Sequence, residues 1–195
     1  MEACEHVFYR NLKKTYPMAD RAEGIHIWDT KGKRYIDGSG GACVVSIGHG
    51  VPEILEAMQA QFERVPFVHS SQFTNPGACE LGDLLYQMAP HESLSRTYFL
   101  SGGSEAVESA VKLVRQYWRE AGQPDKYKVI SRWSSFHGNT TGALALGGHT
   151  SRRRHYMPIF QHTPHIEPAY CYRCSFKETP ETCDLQCADE LERCI

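Results

Sequence analysis

Ser101-Gly102-Gly103-Ser104-Glu105-Ala106-Val107-Glu108 decides the fold, because it sets a glycine-rich turn between a strand signal and an amphipathic helix. Thr97-Tyr98-Phe99-Leu100 before it is a short β-prone run. After it, Ala106, Val107, Ala110, Val111, Val114, Tyr117 and Trp118 recur at helical spacing. The loop therefore feeds a helix N-terminus, where the first N–H groups lack intrahelical partners and the helix dipole is positive. Gly102 and Gly103 let the main chain come close to an anion, so a phosphorylated ligand is expected. The same residues also read as a tight strand-to-helix turn, with Ser104 as cap and Glu105 and Glu108 as ordinary first-turn acids. Neither G-x-x-x-x-G-K-[ST] nor G-x-G-x-x-G is matched, which argues against a triphosphate or a dinucleotide.

About one βαβ unit downstream, Lys128-Val129-Ile130-Ser131 reads as a strand, followed by Trp133-Ser134-Ser135-Phe136-His137-Gly138-Asn139-Thr140-Thr141-Gly142. In open α/β sheets ligands sit outside the carboxyl ends of strands, so both loops are expected to open onto one crevice. Phe136 offers a face for a flat ring, and His137 a donor and acceptor near neutral pH. A core phenylalanine beside a hydrogen-bonded histidine is the other reading of the pair.

Upstream, residues 25–37 read as a β-hairpin turning at Lys31-Gly32-Lys33. Residues 52–62 read as a helix with Pro52 in its first turn and Ile54, Leu55, Met58 and Phe62 as its apolar stripe. Asn75-Pro76 opens another helix through Leu81, Leu84, Leu85 and Met88, which Pro90 stops. Gly38-Ser39-Gly40-Gly41 reads either as a hairpin exit or as backbone that approaches a ligand.

Taken in order, the Ser-Gly-Gly-Ser-Glu-Ala loop, the long helix, the strand and Phe136-His137-Gly138 resemble the N-terminal part of a class III aminotransferase, of the pyridoxal-phosphate-dependent fold-type-I family. Ile25-His26-Ile27-Trp28-Asp29, Gly32-Lys33-Arg34-Tyr35-Ile36-Asp37, Gly48-His49-Gly50 and Pro52-Glu53-Ile54 extend the resemblance over nearly the whole chain. It implies an α/β fold, an incomplete fold-type-I large domain over residues 66–195, preceded by a small-domain segment over residues 1–65. It implies pyridoxal 5'-phosphate as cofactor, with Gly102, Gly103 and Ser104 at its phosphate, Phe136 stacked on its ring, and His137 and Gly138 beside it. An amino donor and an oxo-acid acceptor would be the substrates, and the complete protein a homodimer.

The resemblance also implies an absence. In this family the Schiff-base lysine, and the aspartate that pairs with the ring nitrogen, lie in the second half of the protein. Lys13, Lys14, Lys31, Lys33, Lys112, Lys126, Lys128 and Lys177 match no Schiff-base motif. Residues 188–195 read as the opening of a helix without a C-cap, which suggests truncation. The lysine moves a proton between substrate and cofactor, so the isolated chain is expected to be inactive. A partner chain carrying the C-terminal half would make a split enzyme. A lone monomer would leave sheet edges and a dimer surface exposed.

The net charge of −2 offers no case for nucleic acid or an anionic membrane, and no run of 18 apolar residues suggests a spanning helix. Met1-Glu2-Ala3-Cys4-Glu5-His6 lacks a basic region followed by an apolar one, so a cytoplasmic location is expected. Cys171, Cys174, Cys183 and Cys187 give C-x2-C and C-x3-C, thiol spacing that fits a tetrahedral zinc and an interaction module built on it. The alternatives are reduced structural cysteines, the default in a cytoplasmic protein, and disulfides. Arg152-Arg153-Arg154-His155 reads as a solvated loop or as a contact to phosphate or carboxylate.

Overall fold

The computed structural model describes residues 6–195; Cys4 and nearly all of the N-terminal run read above lie outside them. The chain divides between Met88 and Ala89 into two compact units.

The first unit is built on an antiparallel sheet of β1 (Ala19–Glu23), β2 (His26–Asp29) and β3 (Arg34–Ile36), in that order. The expected hairpin is β2–β3, paired His26 to Ile36 and Trp28 to Arg34. Asp29 makes its turn: one carboxylate oxygen accepts the N–H groups of Lys31 and Lys33 at 2.9 Å each, and the other accepts the Tyr35 hydroxyl at 2.9 Å. Burial pushes this carboxyl up, but the hydrogen bonds from Tyr35, Lys33 and Lys31 outweigh it, so Asp29 titrates below the usual carboxylate range. β1 was not expected from the sequence. Its Ala19-Asp20-Arg21-Ala22-Glu23 has no β-branched or aromatic residue, and pairing with β2 holds it, with Arg21 facing Trp28 and its guanidinium carbon 3.7 Å from the indole centroid.

Gly38-Ser39-Gly40-Gly41 runs into α1 (Gly40–Cys43), a single left-handed turn in which Gly40, Gly41, Ala42 and Cys43 all have positive φ. Asp37 stands at its base, accepting from Ser39 and paired with His49 Nε2 at 2.9 Å. That bond holds the Asp37 carboxyl below its ordinary range, against the opposing effect of burial. The helices α2 (Pro52–Arg64) and α3 (Pro76–Met88) fall where the periodicity places them. Asn75 caps α3, its side-chain oxygen accepting the Ala78 N–H at 2.9 Å.

In the second unit the dominant element is α4 (Gly103–Glu120). It starts at the expected turn and ends at Ala121-Gly122, where Gly122 takes positive φ and the Gln123 N–H closes on the Trp118 carbonyl at 2.8 Å. Val107, Val111 and Trp118 are half-buried, whereas Ala106, Ala110, Val114 and Tyr117 are exposed. α4 thus carries two apolar stripes, one half-buried and one exposed.

The sheet of this unit is two short parallel strands, β4 (Ser131–Arg132) and β5 (His165–Ile166). Here the sequence expectation needs correction. Residues 97–100 form no strand, and of the run 128–131 only Ser131 pairs. A strand needs a neighbour to take its N–H and C=O groups, and among the described residues none pairs with residues 97–100 or 128–130. A groove of about 800 Å³ opens alongside residues 127–129, lined by Val107, Val111, Tyr127, Val129 and Ile159 among others.

After β4 come α5 (Thr141–Leu146) and α6 (Thr150–Arg153); α7 (Gln186–Cys194) packs on β5. Among the described residues the buried apolar side chains are Ala143, Ala145 and Ile166, so the core gathers around α5 and β5. No helix among the described residues is long and apolar enough to cross a membrane.

Candidate functional site

The N-terminus of α4 is open. Gly102 precedes it in extended conformation with no side-chain cap, and the first helical bond runs from the Ala106 N–H to the Gly102 carbonyl. The N–H groups of Gly103, Ser104 and Glu105 therefore have no intrahelical acceptor. A Cβ built on Gly103 would meet nothing within 4 Å. Donors for an anion are present, and beside Gly102 the Glu105 carboxylate folds back, its Oε2 2.7 Å from where a Cβ on that glycine would stand.

Ser104 is not the cap. It lies inside the first turn, and its hydroxyl oxygen accepts the Asn139 N–H at 2.8 Å, joining the glycine turn to the aromatic loop. Gly138 is buried against it: a Cβ there would stand 2.6 Å from Ser104 Oγ and 2.9 Å from Ser104 Cα, and its φ of +139 suits glycine alone. Glu108 is more than a helix-start acid as well. Its Oε1 accepts the Thr140 hydroxyl at 2.6 Å and the Ala143 N–H at 3.2 Å, so it shares with Thr140 the capping of α5. Both expected loops thus meet, through the side chains of Ser104 and Glu108, although the run 97–100 ahead of the first forms no strand.

Phe136 is 57% exposed rather than in a core, and the Arg152 guanidinium carbon lies 4.8 Å from its ring centroid. His137 is half-buried with Nε2 3.2 Å from Ser131 Oγ. The Ser131 hydroxyl donates to the Leu146 carbonyl at 2.6 Å, so the serine oxygen is the acceptor and His137 Nε2 the donor. Each half of the earlier alternative therefore holds for one residue: an exposed aromatic face, and a hydrogen-bonded histidine.

The basic cluster is not a uniform solvated loop. Arg153 is buried, donating to the carbonyls of Ala145 and Gly147, and its Nη1 lies 2.7 Å from His165 Nε2. His165 Nδ1 faces the Thr163 carbonyl at 2.8 Å, and its Nε2 faces the carbonyls of Leu146 at 3.0 Å and Gly147 at 3.2 Å as well as Arg153. Burial pushes the Arg153 guanidinium down from its ordinary value. With no carboxylate paired to it among the described residues, Arg153 works on backbone, tying α5 and α6 to β5. Arg152 and Arg154 are exposed.

The cysteines are not assembled. Cys171, Cys174, Cys183 and Cys187 are free thiols, and among the described residues no group of three His, Cys, Asp or Glu is placed to hold a metal ion. Cys171 opens a 3-10 turn (Cys171–Arg173), while Cys187 sits in α7.

The family model described as Aminotransferase class-III matches residues 7–195. The chain belongs to the class III aminotransferases. Among curated relatives, the aminotransferase YodT of Bacillus subtilis is 40% identical over 184 residues, covering 94% of this chain and 41% of its own length. Among solved structures, an (S)-enantioselective omega-transaminase from Thermomicrobium roseum superposes with a TM-score of 0.87 at 33% identity, covering 97% of this chain and 43% of that one. An amine transaminase from an uncultivated Pseudomonas species, solved in its pyridoxal-phosphate-bound form, gives a TM-score of 0.83 at 25% identity, over 99% of this chain and 44% of that one. The chain thus spans about two-fifths of the length of the aminotransferases it matches. Its α/β fold is part of the fold-type-I transaminase fold.

Sequence reasoning overlooked Glu108, Ser131 and Arg153 as organising groups. A signal for the first existed: Thr140 ahead of Thr141-Gly142-Ala143-Leu144-Ala145-Leu146 reads as a capped helix. Nothing in the sequence marks which of three adjacent arginines is buried.

Proposed function

We propose that this chain is the cofactor-phosphate-binding part of a pyridoxal-phosphate-dependent class III aminotransferase, which moves an amino group from an amino donor to an oxo acid. The observation that carries the reading is the open N-terminus of α4 with Phe136 and His137 bonded to it through Ser104 and Asn139, in a chain of this family. Backbone N–H groups of Gly103 and Ser104 bind the phosphate of pyridoxal 5'-phosphate, with the flexible Glu105 side chain, now beside Gly102, turned aside. Phe136 covers one face of the ring and excludes water from it. His137 holds a proton on Nε2 toward Ser131, which fixes its ring beside the cofactor. When bound, the cofactor supplies an electron sink for the carbon that carries the amine.

The lysine that bonds the cofactor and the aspartate at its ring nitrogen belong, on this reading, to the portion of the family's length outside these residues. The isolated chain then binds but does not turn over. A division at residue 65 into a small-domain segment and the start of the large domain, a homodimeric complete protein and a cytoplasmic location complete the proposal. The test is titration of the chain with pyridoxal phosphate, followed by mixing with a second chain that carries the rest of the family's length. Saturable binding displaced by inorganic phosphate, no amino transfer alone, and transfer on mixing are expected. Absence of binding would overturn the reading.

A further inference from the structure

Glu108 and Ser104 stand four residues apart on α4, hence on one face of the helix. Ser104 Oγ accepts the Asn139 N–H at 2.8 Å; one turn further, Glu108 Oε1 accepts the Thr140 hydroxyl at 2.6 Å and the Ala143 N–H at 3.2 Å. The backbone is pressed against both side chains. A Cβ on Gly138 would lie 2.6 Å from Ser104 Oγ, and a Cβ on Gly142 would lie 2.7 Å from both Glu108 carboxylate oxygens. Of α5 only Ala143 and Ala145 are buried.

We infer that Glu108 is a positioning residue, which with Ser104 clamps the loop 136–143 to α4 and so sets the spacing between the anion-binding helix N-terminus and the stacking ring of Phe136. The inference rests on the proposed cofactor site and adds to it a coupling: phosphate and ring of one ligand are recognised together only while the clamp holds. A ligand with phosphate alone does not need the spacing. A ligand with both parts does. The Ser104 hydroxyl accepts from Asn139 and keeps its own proton for a phosphate oxygen, so it touches both halves of the site.

The experiment compares the full chain with Glu108→Ala and Glu108→Gln by titration with pyridoxal phosphate and with inorganic phosphate, and by peptide-resolved hydrogen exchange of residues 136–146. Glu108→Ala is expected to weaken pyridoxal phosphate about tenfold while leaving inorganic phosphate unchanged, and to speed exchange in the loop. Glu108→Gln keeps an acceptor oxygen for Thr140 and Ala143 and is expected to restore both readouts. An equal loss of both ligands would mean general damage to α4 and overturn the inference. So would a loop as protected in Glu108→Ala as in the parent chain. If the parent chain binds no pyridoxal phosphate, the proposed function falls, and loop exchange alone still decides the clamp.

Discussion

Gly38-Ser39-Gly40-Gly41 and Ser101-Gly102-Gly103-Ser104 look alike as sequence, yet their glycines do opposite things. In the first run Gly40 and Gly41 enter a left-handed turn that Ala42 and Cys43 must continue, closed around the Asp37 carboxylate. In the second, Gly102 is extended, Gly103 is helical, and the Glu105 carboxylate folds back beside Gly102 without a left-handed turn closing around it. The first run needs glycine for backbone handedness, the second for absence of a side chain. The first is folded around a carboxylate of its own backbone turn, whereas the second has only the flexible side chain of Glu105 beside it.

The sharpest way to break this comparison lies where the second run meets its loop. Gly138→Ala places a methyl against the Ser104 backbone at a φ that strains alanine, and is expected to destabilise the second unit by about 3 kcal/mol. Denaturant unfolding with hydrogen exchange resolved by unit would show the loss confined to residues beyond Met88.

Gly41→Ala comes next, at about 1–2 kcal/mol on the first unit, because it adds another alanine to a left-handed turn and brings its Cβ to 3.3 Å from Val45 Cγ2. Gly103→Ala has the reverse sign: a helical glycine in open space becomes a better helix former, by up to about 1 kcal/mol. Binding of inorganic phosphate should weaken in that variant even as thermal stability holds or rises. A fall in stability at Gly103, or none at Gly41, would show that the two runs do not differ as described.

The smallest effect is a pH dependence that separates the units. Asp29 and Asp37 both titrate below their ordinary value of 3.8, so their contribution is complete above about pH 4 and is lost as the pH falls through their lower folded values. Exchange protection of β1–β3 should therefore drop on acidification. Asp29→Asn should flatten that acid limb while lowering protection at neutral pH, since one of its oxygens becomes an amide that cannot accept the Tyr35 hydroxyl.

The helices were legible because their signals are local. Pro52 in a first turn, Asn75 before Pro76, and apolar residues every three or four positions from Ala106 to Trp118 act within a few residues of themselves. The hairpin was legible for the same reason: the Asp29 carboxylate closes its own turn. So was the meeting of a glycine turn with an aromatic loop, since both follow strand-like runs in one βαβ order.

What the sequence could not decide is pairing at a distance. Residues 97–100 and 128–130 have the composition of strands, but a strand exists only beside another, and only Ser131 and Arg132 find a neighbour in His165 and Ile166. Tertiary structure alone turned Ser104 from cap to bridge, Glu108 from helix-start acid to the cap of another helix, and Arg153 from a basic run into a buried tie among carbonyls. Each of these roles depends on which unsatisfied donor or acceptor the folded chain brings within about 3 Å, and nearest-neighbour composition carries no record of that.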